Sequence, residues 1–147
     1  MPDSLLAADE PAPVTVHNEN GLSPFLIVAD HAGKFMPRAL GRLGLPETEC
    51  ERHIAWDIGI ATVSRFMADT LDATLVQQNY SRLVIDCNRT PGSKTSIPDI
   101  SELIPVPGNA DLSEGRKAER VRRFSGPTTI RSKPSSTGGG KPADPRR

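Results

Sequence analysis

Asp30 and His31 follow an unbroken apolar run, Phe25 to Ala29, and precede the small pair Ala32-Gly33. Open α/β sheets hold their ligands at the carboxyl ends of strands, so a polar pair there is a candidate site. A neutral imidazole at that point ligates a metal while small neighbours leave room for substrate. The alternative is a histidine hydrogen-bonded within its own loop. His53 and Asp57 are four residues apart, so on a helix they share one face. There the carboxylate either ligates zinc beside the imidazole or orients it; otherwise the two form a local helix pair of small energetic value. The third constellation is SRLVIDCNR, residues 81–89. On a strand Arg82, Val84 and Asp86 share a face, and a turn after Asp86 is needed to bring Asn88 and Arg89 to the same place. Arginine offers a two-pronged fork to a carboxylate, asparagine adds a neutral donor, and an arginine near a reacting carbonyl stabilises an oxyanion. The alternative is a basic strand end facing solvent. Cys87 has neither a helix start nor a base beside it in sequence, and is expected to be structural.

These residues need a scaffold, and 147 residues allow one domain with a modest core. Residues 1–13 are acidic and broken by prolines, which predicts a disordered leader with neither the basic start nor the apolar run of a signal peptide. VTVHNENG predicts a short edge strand ending in an Asn-Gly turn. Phe25–Ala29 predicts a central buried strand. Pro37 opens a short helix through Ala39 and Leu40, and LGLPE is a turn. Residues 46–71 predict one helix, with Pro46 at its start, Glu47 and Glu49 in its first turn, and Gly59 as a close-approach or kink point. ATLVQQN and SRLVIDCNR predict two more strands. Residues 90–112, with four prolines, predict a long loop, and SEGRKAERVRRF a helix capped by Ser113.

Eighteen basic and eighteen acidic residues balance, so no long-range field calls for nucleic acid. No run is long and apolar enough to cross a membrane. Cys50 and Cys87 make no disulfide framework and suit a reducing cytosol, so a cytoplasmic location is expected. GGGK, residues 138–141, lacks the flanking strand, helix and spacing of a phosphate loop. The oligomeric state stays open.

Three stretches together, PFLIVADHAGKFMP, LGLPETECERHIAWDIG and YSRLVIDCNRTPGS, resemble the N-formylglutamate amidohydrolase family in order and spacing over roughly residues 20–124. The resemblance implies a three-layer α/β/α mixed-sheet fold, incomplete here at its C-terminal side, with distant kinship to zinc carboxypeptidases and aspartoacylases. It implies metal-dependent hydrolysis of an N-acyl amide of an acidic amino acid, such as N-formyl-L-glutamate to formate and glutamate, in histidine breakdown. Carried onto this chain, His31 becomes a metal ligand, with Asp57 as the acidic ligand and His53 nearby. Asn88 and Arg89 bind the substrate carboxylate, Asp86 is a further substrate-binding residue, and Arg82 polarises the scissile carbonyl or holds the oxyanion. The cofactor implied is a divalent metal, zinc by donor type, and Asp57 takes the proton of the attacking water. Where the distant relatives carry a glutamate three residues after the first histidine, this chain has Lys34. The family's second metal-binding histidine falls in a later part, whereas His17, His31 and His53 are the histidines here.

From Ser125 onward the character changes. Arg131, Lys133, Lys141, Arg146 and Arg147 face one acid, Asp144, among Pro, Gly and Ser. Loss of a single T from a Phe-Phe codon pair turns a family-like FFGPYHD into the FSGPTT found here. Residues 125–147 are therefore expected to be an out-of-frame, disordered tail, and residues 14–124 the N-terminal part of an amidohydrolase domain. On that view the chain is an inactive fragment with exposed edges. The competing expectations are a small enzyme completed in trans by a second copy, and a non-catalytic binding module for acidic amino acids.

Overall fold

A computed structural model describes residues 5–125; the predicted out-of-frame tail lies almost wholly outside the described residues. Three strands form a mixed sheet in the order β1-β3-β2. β1 is Val14–His17, β2 is Leu26–Ala29 and β3 is Thr74–Gln78. β1 runs antiparallel to β3, with Val16 opposite Val76, and β2 runs parallel to it, with Ile27 opposite Leu75. The parallel pair requires a crossover, supplied by α2 (Ile60–Leu71), whose small residues Ser64 and Ala68 are buried. Ala68 packs in one cluster with Ala29, Ala32 and Leu75.

The central strand is β3, where Leu75 and Val76 are buried. This corrects the expectation for Phe25–Ala29. β2 lies at the sheet edge among the described residues, with Phe25, Leu26 and Val28 exposed. An apolar run signals a strand built to be covered, and what covers it must come from elsewhere in space.

The predicted helix over residues 46–71 is two. α1 is only Glu47–Cys50, turns follow, and α2 begins after Gly59, whose φ of 87° is a left-handed cap rather than a kink. The break is tertiary in origin: the Asp57 amide donates to His31 O at 2.9 Å instead of continuing a helix. SRLVIDCNR is not a strand. Ser81 turns the chain, its Oγ accepting from the Leu83 amide at 3.1 Å and its carbonyl from the Val84 amide at 2.9 Å. Leu83, Val84 and Ile85 are all buried in succession, in turns and irregular backbone rather than in a strand.

Residues 90–112 contain a two-residue hairpin, β4 (Ile100–Ser101) with β5 (Ile104–Pro105), and a 3-10 turn at Pro107–Asn109. α3 (Glu114–Arg120) begins at Ser113, whose Oγ accepts from the Arg116 amide at 3.4 Å as predicted, and a π-helical turn follows at Val121–Ser125. Within the predicted disordered leader, residues 5–13 are ordered. Leu5 and Leu6 are buried, and the carbonyls of Pro11 and Ala12 accept from Tyr80 and Asn79. Composition reads prolines and acids as disorder, but two leucines and these carbonyls find partners in the main core, where Tyr80 packs on Phe124 with ring centres 5.0 Å apart. Among the described residues no helix is long and apolar enough to cross a membrane.

Candidate active site

Three segments far apart in sequence, at residues 31, 57 and 82–86, meet at His31. The chain leaves β2, and the His31 carbonyl holds the Asp57 amide, so the start of α2 is tied to the end of the strand. The Arg82 amide donates to Ala55 O at 3.1 Å, and the Asp86 amide to Ser96 O at 2.7 Å. These backbone bonds set four side chains into one cluster. His31 Nε2 lies 2.6 Å from Asp86 Oδ1, and His31 Nδ1 lies 3.4 Å from Asp57 Oδ2. Arg82 spans both carboxylates, with Nη1 at 3.3 Å from Asp57 Oδ1 and Nη2 at 3.1 Å from Asp86 Oδ2.

The environments differ. Asp86 is buried, its side chain 5 % exposed, while Asp57 is 49 % exposed. Burial alone would raise the Asp86 carboxyl, but the His31 bond, the Asn88 amide at 2.9 Å and the Arg82 charge together hold it below the usual range. The Asp86 hydrogen bond pushes the His31 imidazole up, against the opposing effect of burial. Both shifts favour the charged forms of His31 and Asp86. Asp86, expected to bind substrate, has its oxygens bonded to His31, Arg82 and the Asn88 amide. Arg89 stands at the rim, half exposed, with Nε 3.8 Å from Asp86 Oδ2.

His53 does not join this group. It sits in the turns between α1 and α2, so the shared helix face expected for His53 and Asp57 does not exist. Its Nε2 lies 2.7 Å from Glu102 Oε2, an exposed pair. Cys87 behaves as expected of a structural thiol. Burial pushes it up, and Gln78 Nε2 lies 3.2 Å from its sulfur. The scaffold residues that sequence reasoning missed are Ser81, Ser96 and Asn109, whose bonds orient the 81–89 segment; lone Ser and Asn residues in loops carry no distinguishing pattern. A cavity of about 370 Å³ is lined by Ser93, Ser96, Asn109 and Lys117 among others, and does not include His31, Asp57 or Arg82. Asp57 and Arg89 open the cluster to solvent, while His31 and Asp86 lie largely beneath the surface.

Zinc donors lie about 2.0–2.2 Å from the ion, which puts two donors of one tetrahedron about 3.3–3.6 Å apart. The 3.4 Å between His31 Nδ1 and Asp57 Oδ2 fits that edge, and Asp86 on the other ring nitrogen is the usual orienting carboxylate. A catalytic zinc takes three protein ligands, however, and the described residues hold no group of three or more His, Cys, Asp or Glu that would supply them. Two donors fit; the described residues do not make a whole zinc site.

The mixed sheet with its crossover helix and the ligand cluster at a strand's carboxyl end define an α/β protein with a polar, strand-end site. The N-formylglutamate amidohydrolase family model matches residues 23–127, and the chain belongs to that family. The crystal structure of gene product Atu2144 from Agrobacterium tumefaciens superposes with a TM-score of 0.81 at 37% sequence identity, covering 84% of this chain. That match takes in 49% of the Agrobacterium chain, so this chain spans about half its length. No curated protein matches.

Proposed function

We propose that the His31 cluster serves hydrolysis of an N-acyl amide of an acidic amino acid, such as N-formyl-L-glutamate, giving formate and glutamate, as the family suggests. The observation that carries this reading is the convergence of His31, Asp57, Arg82 and Asp86 from three segments, with Asn88 and Arg89 on the rim. Each group has a part its environment suits. Asp57 is the exposed carboxylate, able to take a proton from an attacking water. Arg82 is held between two carboxylates with part of its guanidinium exposed, and stabilises the charge that develops on the carbonyl oxygen. Arg89, half exposed, gives the substrate carboxylate a fork, and Asn88 a neutral donor. Asp86 keeps His31 and Arg82 in register. A divalent metal, zinc by donor type, would be held by His31 and Asp57 with at least one further donor from beyond the described residues. In this reading the sheet is the first portion of a three-layer α/β/α fold.

The test is formate release from N-formyl-L-glutamate by the purified chain with added zinc, beside calorimetric binding. Turnover lost in Arg82→Ala and binding weakened about tenfold to a hundredfold in Arg89→Ala support the reading. Binding without turnover instead favours a second reading, a non-catalytic module for acidic amino acids. One observation speaks for it: among the described residues the donor set stops at two while the Asn88/Arg89 rim is intact. A folded chain that neither binds nor turns over the compound refutes both.

A further inference from the structure

The 81–86 segment that carries Arg82 and Asp86 is neither strand nor helix, so its buried carbonyls have no ladder to bond to. Buried backbone carbonyls must find partners somewhere. Leu83 and Val84 are fully buried. The Leu83 carbonyl accepts from Asn109 Nδ2 at 2.8 Å, and the Val84 carbonyl from Arg120 Nη1 at 3.0 Å. The two donors are themselves coupled: Arg120 Nη1 lies 2.7 Å from Asn109 Oδ1. That contact fixes which end of the amide faces which way, and leaves Nδ2 to bridge Leu83 O and Pro98 O, the latter at 2.7 Å. Arg120 Nη2 also reaches Gly108 O at 3.3 Å.

Arg120 is only 2 % exposed, and Asn109 is 4 % exposed. Among the described residues no carboxylate pairs with Arg120; its charge is met by carbonyl and amide dipoles. Burial pushes the guanidinium down to about 10, which leaves it protonated at neutral pH. A buried cation without a counter-ion is a poor device for stability alone, since a packed apolar side chain of similar volume serves that end better. What the guanidinium and the amide supply, and an apolar residue cannot, is directed bonds to two successive carbonyls. Those carbonyls lie between the two residues that enclose His31 and Asp57.

We infer that Arg120 and Asn109 form a buried clamp that sets the spacing of Arg82 and Asp86, and are positioning residues for the His31 cluster. The inference rests on the reading of Arg82 and Asp86 as site residues under the proposed function, but its geometry does not depend on any substrate. The clamp also explains why an irregular segment can hold two site side chains in register without a strand ladder.

The test is native-state amide hydrogen exchange by NMR on the full chain and on Arg120→Met, Arg120→Lys and Asn109→Asp. The amides of Arg82, Val84, Asp86 and Asn88 are each hydrogen-bonded within or beside the clamped segment. In Arg120→Met they are expected to lose protection at least about tenfold more than the β3 amides, because the opening is local. Arg120→Lys restores part of that protection. Asn109→Asp keeps the oxygen that faces Arg120 but loses both donations, and is expected to show the same local pattern more mildly. Should Arg120→Met fail to fold, Asn109→Asp decides. A uniform loss across β3 and the 82–88 amides, or no loss, overturns the inference and leaves Arg120 a stabilising residue only. Binding of N-formyl-L-glutamate to the wild-type chain is measured alongside. Its absence with the local exchange pattern present refutes the proposed substrate, not the clamp.

Discussion

Replacing Asp86 by asparagine tests the electrostatic account of the site most directly. The carboxylate is 5 % exposed and meets His31 Nε2 at 2.6 Å, Arg82 Nη2 at 3.1 Å and the Asn88 amide at 2.9 Å. Asparagine is nearly isosteric, so packing is little changed, but it offers one acceptor where the carboxylate offers two. Its NH2 then faces an N–H of His31 or of Arg82. Removing one partner of a buried pair costs about 3–5 kcal/mol. Because Arg82 is 27 % exposed and regains some solvation, the lower end applies, about 3 kcal/mol. The pH at which to measure follows from the two shifts. His31 is raised, so its contribution is complete below its unfolded value, 6.5, and fades as pH rises through the folded value. Asp86 is lowered, so its contribution is complete above its unfolded value, 3.8, and is lost as pH falls through the folded value. Both are complete between those two values. Urea unfolding of wild type and Asp86→Asn at about pH 5.5 gives the difference, and it shrinks when the comparison is repeated well above His31's raised value. A loss under about 1 kcal/mol at the lower pH, or one that does not change with pH, would refute the ion-pair account.

Gly33→Ala is expected to destabilise by at least about 3 kcal/mol, because a Cβ there would stand 2.0 Å from Asn79 O and 2.1 Å from Asn79 C, backbone atoms that cannot yield. Thermal unfolding reads it directly. His53→Ala is expected to change stability by less than about 1 kcal/mol and leave N-formyl-L-glutamate binding untouched, since its contact with Glu102 is exposed and separate from the cluster. Reduced binding would restore His53 to the site. Phe66 is 70 % exposed on an α2 face with Val63 and Met67. Phe66→Glu is therefore expected to lower concentration-dependent association in light scattering while shifting stability by less than about 0.5 kcal/mol.

The residues of the candidate site stood out in the sequence because polar types stand at breaks in apolar runs. Asp30-His31 ends one such run, and Arg82, Asp86, Asn88 and Arg89 surround another. The helix face expected to pair His53 with Asp57 does not form. Periodicity over 46–71 is satisfied by two helices and a turn as well as by one helix, and the deciding bond, Asp57 amide to His31 carbonyl, is long-range. The strand expected at 81–89 failed for a similar reason. Its apolar content comes from burial on all sides, with carbonyls served by Asn109 and Arg120 from 26 and 36 residues away.

By itself the sequence determined the local chemistry: the apolar strands Val14–His17 and Thr74–Gln78, the Ser113 cap, and the family to which residues 23–127 belong. Those follow from side-chain type and short-range spacing, which the chain carries wherever it goes. Only the tertiary structure decided which carboxylate is buried and which is open. Asp86 is enclosed by His31 and Arg82 while Asp57 faces solvent, although both are aspartates beside isoleucines in the chain. Burial and partnership are properties of segments brought together, and they separate an enclosed, fully bonded carboxylate from one open to solvent.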